Sequence, residues 1–421
     1  MPAGQSPLPS SLWWHTGGVT TALLLEDPDT CADEIFRNEG IEVRRVAGSL
    51  DEDDLIEALQ GVEILGIRSK TEVTEKVIAN SPSLLAIGAY CIGTNQIDLD
   101  AASHHGVAVF NAPYSNTRSV VELAIAEIII MGRRLVERSN SLHAGVWNKS
   151  ASHAHEIRGR TLGIIGYGSI GSQLSVLAEA VGLKVIFYDT AERLALGNAV
   201  RMGSMKELLR EADVVSIHVT GDPSNTDLIG DEEFALMKPR SLFINLSRGH
   251  IVDLDALRKH LLTGHIAGAA IDVFPEEPRS SGDPFESQLA DLTNVILTPH
   301  IGGSTIEAQE DIARFVSGKL CSYMRDGGSY MSVNLPSIAI PVGTEATRRL
   351  ALIHYNVPGV MAKLNKGFAK KGVNVVGQSL GTLGEFGYAI TDVAGELPEE
   401  LVEKFEDYAP TIRLRILDTD N

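Results

Sequence analysis

The chain has few cysteines, few aromatic residues and no long uncharged apolar run. Its three cysteines, Cys31, Cys91 and Cys321, are odd in number and far apart, which argues against a disulfide framework or a zinc knuckle. This pattern favours a reducing compartment, and we expect the cytoplasm. Residues 1–14 contain proline and serine but no basic start and no apolar core, so we predict a disordered tail and not a signal peptide.

Positive charge is scarce as well. Lysine and arginine total 36 against 55 aspartates and glutamates, which leaves a formal net charge of −19. Such a surface repels nucleic acids and acidic membranes, so we predict neither as a partner. The most apolar long run, 120–131, carries two glutamates and is too short to span a bilayer. His153 and His155 have no third ligand near them in sequence, so we predict no metal site.

A glycine motif follows an apolar strand at 162–165. Gly166, Gly168 and Gly171 form Gly-x-Gly-x-x-Gly immediately before a predicted helix. The first glycine allows a tight turn, the second lets the backbone approach a pyrophosphate, and the third lets the helix lie on the strand. Asp189 ends the next predicted strand, 18 residues past Gly171. A carboxylate there binds ribose hydroxyls and repels a 2′-phosphate, so the motif predicts NAD as cofactor in preference to NADP.

Short apolar runs alternate with amphipathic segments over most of the chain. Its 421 residues suggest two or three domains. The alternation predicts an α/β fold with two doubly wound parallel-sheet domains, Rossmann-like or flavodoxin-like. We expect a discontinuous substrate-binding domain at 15–115 and 303–340 and an NAD-binding Rossmann domain at 116–302. A single long helix at 116–138 is predicted to lead from one to the other.

The last part of the chain has a different order of elements. Residues 345–421 contain strand, helix, strand, strand, helix and strand in that order. This order predicts a ferredoxin-like βαββαβ domain.

Polar residues follow several strands of the second α/β unit. Asn245, Asp272 and Thr298 each end a predicted strand, and ligands bind outside the carboxyl ends of the strands in open α/β sheets. Arg248 follows one of these strands and can grip a carboxylate with two parallel hydrogen bonds. His300 follows another and can exchange a proton near neutral pH, and Glu277 can raise its pKa. These three residues predict hydride transfer between nicotinamide and a 2-hydroxy acid.

Long motifs of the chain resemble those of the D-isomer-specific 2-hydroxyacid dehydrogenases. The similarity runs from about Leu23 to the C-terminus and includes 90–96, 111–120, 145–149, 166–171, 245–249, 269–278 and 298–305. It implies that His300 is the general acid/base, Glu277 its partner and Arg248 the substrate-carboxylate anchor. It also implies an NAD site formed by Gly166, Gly168, Ser169, Ile170, Gly171, Asp189, Asn116, Leu246, Ser247, Asp272, Gly302 and Gly303.

Within that family the chain resembles members that oxidise 3-phospho-D-glycerate to 3-phosphooxypyruvate at the start of L-serine synthesis. The resemblance implies 3-phosphoglycerate as substrate and a side reduction of 2-oxoglutarate to 2-hydroxyglutarate. The substrate phosphate needs additional cations, for which Arg68 and Lys149 are the candidates, and Ser69 beside Arg68 is a further predicted substrate-binding residue. Lys149 is similar to a family lysine that acts from the neighbouring subunit.

The C-terminal unit resembles an ACT domain, a module that binds amino acids at subunit contacts. The resemblance implies L-serine as an inhibitory effector bound by His354, Asn356 and Asn374, and a homotetramer joined through Rossmann and ACT contacts. A purely oligomerising domain stays open as an alternative. For the whole chain the alternatives are another D-2-hydroxyacid dehydrogenase of the glyoxylate or hydroxypyruvate type, and a non-catalytic NAD-sensing binding protein.

Overall fold

The computed structural model describes residues 19–278, 282–342 and 345–419. The tail predicted at 1–14 lies outside them. The described chain divides into two compact units. Unit 1 comprises Met1–Pro113 together with Gln309–Asn421, and unit 2 is Tyr114–Ala308.

Unit 1 begins with a five-stranded parallel sheet in the order β2-β1-β3-β4-β5. The strands are β1 Thr21–Leu25, β2 Glu42–Val46, β3 Ile64–Ile67, β4 Ala86–Ala89 and β5 Ala108–Asn111. The helices between them are α1 Cys31–Asn38, α2 Glu52–Ala58, α3 Glu75–Ala79 and α4 Leu99–His104. Asp51, Thr74 and Asp98 cap helices α2 to α4 by accepting hydrogen bonds from free N–H groups of the first turn.

Unit 2 contains a seven-stranded parallel sheet in the order β12-β11-β10-β9-β6-β7-β8. Its strands are β6 Thr161–Ile165, β7 Lys184–Tyr188, β8 Val200–Arg201, β9 Val214–Ile217, β10 Ser241–Asn245, β11 Ile266–Ile271 and β12 Val295–Leu297. Its helices are α5 Thr117–Arg133, α6 Leu135–His143, α7 Ser169–Ala180, α8 Met205–Glu211, α9 Asp231–Leu236 and α10 Leu254–Leu262. The chain order reverses between the neighbouring strands β6 and β9, and ligands bind at such a switch point in open α/β sheets.

The long helix predicted at 116–138 is wrong as a single element. Arg134 adopts a left-handed backbone with φ of 52° and separates α5 from α6. Its guanidinium binds the carboxylate of Glu137 and the carbonyl oxygen of Ser152. These contacts offset the cost of a left-handed backbone at an arginine. The sequence has neither a proline nor a glycine at Arg134 that would predict the break between the two helices.

The chain then forms α11, Ile306–Asp326, which packs on the sheet of unit 1. At Gly88 of β4 a Cβ atom would lie 2.6 Å from Val316 and 2.7 Å from Leu320, so the helix lies directly on this strand. The last sheet is antiparallel in the order β14-β15-β13-β16. Its elements are β13 Arg348–Tyr355, α12 Val360–Lys371, β14 Asn374–Leu383, β15 Phe386–Ala394, α13 Glu399–Glu406 and β16 Thr411–Asp418. This confirms the predicted βαββαβ order.

Buried arginines join this last sheet to the end of α11. The Arg349 guanidinium forms an ion pair with Asp392, and both side chains are almost completely buried. Arg349 also donates to the carbonyl oxygen of Asp326, and Arg415 donates to those of Tyr323 and Met324. Because the last carbonyls of a helix lack partners within it, these cations satisfy the end of α11 and complement its dipole.

The predicted α/β class is confirmed for both parallel sheets. None of the helices among the described residues combines the length and apolarity needed to cross a membrane.

Candidate active site

The three glycines after β6 differ in what a side chain at their positions would contact. Gly166 has φ of 89°, and a Cβ there would lie 2.5 Å from the carbonyl oxygen of His218. A Cβ on Gly171 would lie 2.2 Å from the carbonyl oxygen of Gly166. A Cβ on Gly168 would meet no described atom within 4 Å. Gly166 and Gly171 therefore serve the fold of the turn, while Gly168 leaves its open side for a ligand.

The carboxylate of Asp189 is oriented by the glycine turn. It accepts hydrogen bonds from the backbone N–H groups of Tyr167 and Ala191, both at 2.8 Å. Arg193 lies beside it, with Nε 3.6 Å from Oδ2. Sequence reasoning missed Arg193, because nothing local distinguishes it from a solvated arginine.

A cavity of about 410 Å³ adjoins this turn. Among its lining residues are Gly168, Ser169, Ser172 and Arg193. Ser169 begins α7, so the free N–H groups and positive dipole end of a twelve-residue helix face this region. Ile170 follows in the same turn and is partly buried against the core. An open glycine, a helix N-terminus and a fixed carboxylate fit a dinucleotide.

The turn after β10 presents Arg248 through a network of side-chain bonds. The buried Asn245 side chain accepts from the N–H of Ser247 and donates to the carbonyl oxygen of Arg248. The Ser247 hydroxyl donates to the carbonyl oxygen of Ile217 at 2.6 Å. Leu246 is buried in the apolar core. Leu246 therefore packs inward, and its contact with NAD stays a prediction.

Gly249 brings the Arg248 turn against the loop that carries Glu277. A Cβ on Gly249 would lie 1.9 Å from the carbonyl carbon of Phe274 and 2.3 Å from the nitrogen of Pro275. No other residue fits this approach without moving the backbone. The same loop is closed by a hydrogen bond from the Phe274 N–H to Oε1 of Glu277 at 3.1 Å.

His300 and Glu277 form a direct pair. Nδ1 of His300 lies 2.8 Å from Oε2 of Glu277. Because a carboxylate only accepts, Nδ1 carries the proton and Nε2 is the basic nitrogen of the neutral ring. Arg248 adds positive charge near both side chains and lowers the pKa of each. The three residues predicted to carry the chemistry thus interact electrostatically within unit 2.

The pKa values of the pair move apart. The hydrogen bond that His300 donates to Glu277 raises the pKa of His300 above its ordinary value of 6.5, although burial acts in the opposite direction. Burial pushes the pKa of Glu277 upward, but the hydrogen bond to His300 and the charges of His300 and Arg248 together leave it below its ordinary value. The pair therefore favours an ionised Glu277 beside a His300 ring that takes up a proton more readily than a free imidazole.

Asp272 holds the loop that carries His300. Its Oδ1 accepts from the Thr298 hydroxyl and the Ile301 N–H, and Oδ2 accepts from the Gly302 N–H. The Asp272 side chain is only 1% exposed. The sequence predicted Asp272 as a cofactor residue, whereas the structure shows it first as the organiser of this loop. Its contact with NAD stays a prediction.

Asn116 and Gly303 lie against each other within unit 2. A Cβ on Gly303 would lie 2.1 Å from Nδ2 of Asn116, so a larger residue there would force the Asn116 side chain to move. The Oδ1 atom of Asn116 is buried and has no hydrogen-bond partner among the described residues. An acceptor left open at this place is consistent with the predicted role of Asn116 in cofactor binding.

His218 is a further candidate that sequence reasoning passed over. It follows β9 beside Gly166, and its Nε2 lies 2.9 Å from the Ser216 hydroxyl. Burial lowers the pKa of His218 to about 4, so the ring is neutral under ordinary conditions. Its position after a strand was the available signal, but histidine at a strand end is more often structural.

The predicted phosphate-binding residues lie in both units. Arg68 and Ser69 follow β3 in unit 1, where Arg68 is half-buried and Ser69 exposed. The next turn is held by Glu26, whose carboxylate accepts from the N–H groups of Lys70 and Thr71. Lys149 belongs to unit 2 and is exposed. Their roles remain predictions.

The predicted effector residues are separated within one chain. His354 of β13 pairs with Gly387, whereas Asn374 of β14 pairs with Ala394 at the opposite end of β15. The His354 side chain is buried, and its Nδ1 donates to the carbonyl oxygen of Tyr355. Asn356 and Asn374 are exposed. The three cannot contact one small ligand in a single chain.

Two family models match the chain. The NAD binding domain of the D-isomer specific 2-hydroxyacid dehydrogenases matches residues 125–302. The AHAS small subunit-like ACT domain matches residues 350–408. These matches cover the seven-stranded sheet of unit 2 and most of the antiparallel sheet.

Solved structures share the fold. D-lactate dehydrogenase from Aquifex aeolicus, complexed with NAD and lactic acid, is 26% identical with a TM-score of 0.64, and the match covers 75% of this chain and all of that one. A D-2-hydroxyisocaproate dehydrogenase has a TM-score of 0.68 at 24% identity, with coverage of 75% and 100%. At that identity the second match establishes the fold alone.

Curated relatives are similar over nearly the whole chain. The D-3-phosphoglycerate dehydrogenase of Escherichia coli K12 is 48% identical over 372 residues, which are 88% of this chain and 90% of that protein. The Dictyostelium discoideum enzyme of the same name is 47% identical, with coverage of 94% and 96%. D-3-phosphoglycerate dehydrogenase 2 of Saccharomyces cerevisiae is 43% identical, with coverage of 97% and 90%. The chain therefore belongs to the D-3-phosphoglycerate dehydrogenase family of D-isomer specific 2-hydroxyacid dehydrogenases and is an NAD-dependent oxidoreductase with an ACT domain.

Proposed function

We propose that this chain oxidises 3-phospho-D-glycerate to 3-phosphooxypyruvate with NAD, the first step of L-serine synthesis from phosphoglycerate. The names of its relatives support the substrate. The observation that carries the chemistry is the 2.8 Å contact between Nδ1 of His300 and Oε2 of Glu277, near the positive charge of Arg248.

His300 is the base of the proposed reaction. With Nδ1 engaged by Glu277, its Nε2 takes the proton of the C2 hydroxyl as the C2–O bond becomes a carbonyl. Bound NAD would supply the acceptor for the hydride that leaves C2. Glu277 stabilises the imidazolium that forms, and the proton then leaves to solvent. In the reverse direction the imidazolium returns the proton to the oxygen.

Arg248 is the proposed anchor of the substrate carboxylate. It is half-buried, and within the described part of the chain its guanidinium makes one hydrogen bond, from NH1 to the carbonyl oxygen of Ser247. The remaining donors suit the two oxygens of a carboxylate. A His300→Asn variant tests the assignment: we expect a loss of about 10²–10⁴-fold in kcat, with NAD binding retained in a fluorescence titration. Full activity of that variant would remove His300 from the mechanism.

Arg68 is the proposed phosphate ligand, with Ser69 beside it and Lys149 contributed by a neighbouring subunit. The Arg68 side chain has no hydrogen bond or ion pair to any residue described here, so its charge is available. Replacing Arg68 by Gln is expected to raise KM for 3-phosphoglycerate at least about tenfold, the loss of a charge-assisted contact.

The control for Arg68 is Arg44→Gln, an exposed arginine of β2 near Glu42. It should leave KM unchanged. The same measurements with unphosphorylated D-glycerate separate the proposed enzyme from a glyoxylate or hydroxypyruvate type, because only a phosphate ligand discriminates between the two substrates. Equal effects of Arg68→Gln on both substrates would argue against this role.

We also propose that L-serine inhibits the enzyme through the ACT domain. Because Asn374 lies at the other end of the sheet from His354 and Asn356, a joint site needs two copies of the chain, in keeping with a homotetramer. Initial rates with and without millimolar serine test this, and light scattering measures the assembly. Asn374→Ala should abolish inhibition without changing kcat. If serine does not inhibit the wild-type enzyme, the ACT domain has a purely structural role.

Three further expectations belong to the same proposal. The domain division 15–115 with 303–340, 116–302 and 345–421 is supported by the three separate sheets. Reduction of 2-oxoglutarate is expected from a site built for 2-oxo acids and is measured by NADH consumption. A cytoplasmic location is expected because the three cysteines are free thiols, which a reducing compartment maintains.

A further inference from the structure

A second cavity lies in unit 2 at the amino ends of the strands. It has a volume of about 290 Å³. Arg160, Arg240 and Asn294 line it, and they immediately precede β6, β10 and β12. Gly166 and His300 follow the carboxyl ends of β6 and β12, so this cavity occupies the opposite edge of the sheet from the candidate active site.

The cavity has an apolar floor and an enclosing wall. Met131, Leu242 and Ile296 contribute aliphatic surface. The wall is formed where α5 ends and the chain returns past His155, whose N–H donates to the carbonyl oxygen of Gly132 at 2.7 Å. A volume of this size lies at the lower end of the range for small-molecule sites.

Two arginines that line this cavity have no acidic partner among the residues that the structure describes. Arg160 donates from Nε to the carbonyl oxygen of Glu156, and no bond of its terminal nitrogens is found among the described residues. The Arg240 side chain has neither a hydrogen bond nor an ion pair within the described chain. Arg134 also lines the cavity, but Glu137 neutralises it with two hydrogen bonds.

The histidines of the cavity add donors but no compensating negative charge. His153 and His155 both line it. Burial first, and then the nearby Arg160, Arg240 and His153, lower the pKa of His155. In a chain with a formal net charge of −19, two guanidinium groups without a carboxylate partner form a localised positive region. Such a region attracts an anion, and the apolar floor favours one with a hydrocarbon part.

We propose that this cavity binds a small amphiphilic organic anion, with a carboxylate between Arg160 and Arg240 and a short hydrocarbon body on the floor formed by Met131, Leu242 and Ile296. Guanidinium forks match the two oxygens of a carboxylate. The ligand class thus follows from the combination of positive charge and apolar surface. Inorganic phosphate lacks the hydrocarbon part, and a neutral alcohol lacks the negative charge.

Calorimetric titration of the full-length protein with hexanoate tests the proposal. We expect one hexanoate per chain with a millimolar Kd, and weaker binding of 1-hexanol and of inorganic phosphate. Arg240→Gln and Arg160→Gln should each weaken hexanoate binding about tenfold, the effect of one lost charge-assisted contact. The matched control is Arg158→Gln, an exposed arginine on the same segment paired with Glu156, which should bind hexanoate like the wild type.

Two results would overturn the proposal. If Arg248→Gln removes hexanoate binding while Arg240→Gln does not, the carboxylate occupies the candidate active site. If the wild type binds no hexanoate, and Arg240→Gln changes the assembly mass measured by light scattering, the cavity is a contact between copies of the chain. Thermal melting of each variant establishes that it is folded. Arg240 is exposed, so its replacement should leave the melting temperature unchanged.

Discussion

The backbone N–H of His300 donates to the carbonyl oxygen of Asp272 at 2.8 Å, while the Asp272 carboxylate accepts from the next two N–H groups. His300 has φ of 55°, in the left-handed region that is unfavourable for a side-chain-bearing residue. One buried carboxylate therefore stabilises a strained loop conformation and, with it, the direction of the imidazole.

Removing this carboxylate should disorder the catalytic loop. Asp272→Ala leaves the Thr298 hydroxyl and two N–H groups without their acceptor, at about 1–3 kcal/mol for each group that stays buried. We expect kcat to fall about 10²-fold, the effect of a misplaced catalytic group. Steady-state kinetics and urea unfolding measure the two effects. Thr298→Val, which removes a single donor, is the milder control; unchanged kcat in Asp272→Ala would contradict the assigned role.

The pH dependence should follow the raised pKa of His300. Oxidation needs the neutral imidazole, so its kcat/KM declines as the pH falls through that pKa. Glu277→Gln keeps a hydrogen-bond acceptor but loses the charge, so the pKa of His300 drops towards 6.5 and the decline begins at lower pH. Reduction needs the imidazolium, so its kcat/KM declines as the pH rises through the pKa of His300. In Glu277→Gln this decline should begin at a lower pH than in the wild type.

Profiles of kcat/KM against pH in both directions test this pair. Glu276→Gln is the matched control, because Glu276 is the exposed neighbour and should leave the midpoint in place. An unshifted midpoint in Glu277→Gln would show that the imidazole is not the titrating group.

Alanine substitutions at two glycines of the dinucleotide turn should affect different properties, one the NAD affinity and the other the stability of the fold. Gly168→Ala meets no described atom within 4 Å, so its free energy of unfolding should stay unchanged while NAD binds more weakly. Gly171→Ala places a methyl group 2.2 Å from the Gly166 carbonyl oxygen and should lose about 1–3 kcal/mol of stability. Urea unfolding and NAD titration distinguish them. A destabilised Gly168→Ala with normal NAD affinity would reverse the interpretation.

Gly249 should be required for substrate binding although it carries no chemistry. In Gly249→Ala the methyl group would lie 1.9 Å from the Phe274 carbonyl carbon, which forces the Arg248 turn away from the Glu277 loop. We expect a higher KM for the hydroxy acid and a stability loss of about 1–3 kcal/mol. Gly230→Ala is the control, since its methyl group would meet only the Glu233 carboxylate, at 3.8 Å, among the described residues. Equal KM values in the two variants would argue against this role.

The buried pair of Arg349 and Asp392 should dominate the stability of the antiparallel sheet. Arg349→Met leaves a buried carboxylate without its cation and should lower the free energy of unfolding by about 3–5 kcal/mol. Replacing both residues by apolar ones should restore much of this loss. Denaturation monitored by hydrogen exchange of β13 and β15 measures the effect. A double variant as unstable as the single one would mean that the arginine acts mainly through its helix-end carbonyls.

Local patterns in the sequence were sufficient for the parts of the site that depend on neighbours along the chain. The spacing of Gly166, Gly168 and Gly171 reports a turn of fixed geometry, and alternation of apolar runs reports parallel sheets. The sequence pointed to His300 and Arg248 as candidates because the carboxyl ends of parallel strands meet at one edge of a sheet, and their roles stay predictions. The family resemblance carried the finer assignments.

Tertiary structure alone decided which partners each side chain received. Asp272 turned out to hold the loop 29 residues further on, and Arg134 interrupts a helix through a carbonyl 18 residues away. The strand register separated Asn374 from His354, and folding brought Arg160 and Arg240 to one cavity. Backbone preferences and periodicity act over a few residues, whereas hydrogen bonds and ion pairs form between whichever loops the packed sheets bring together.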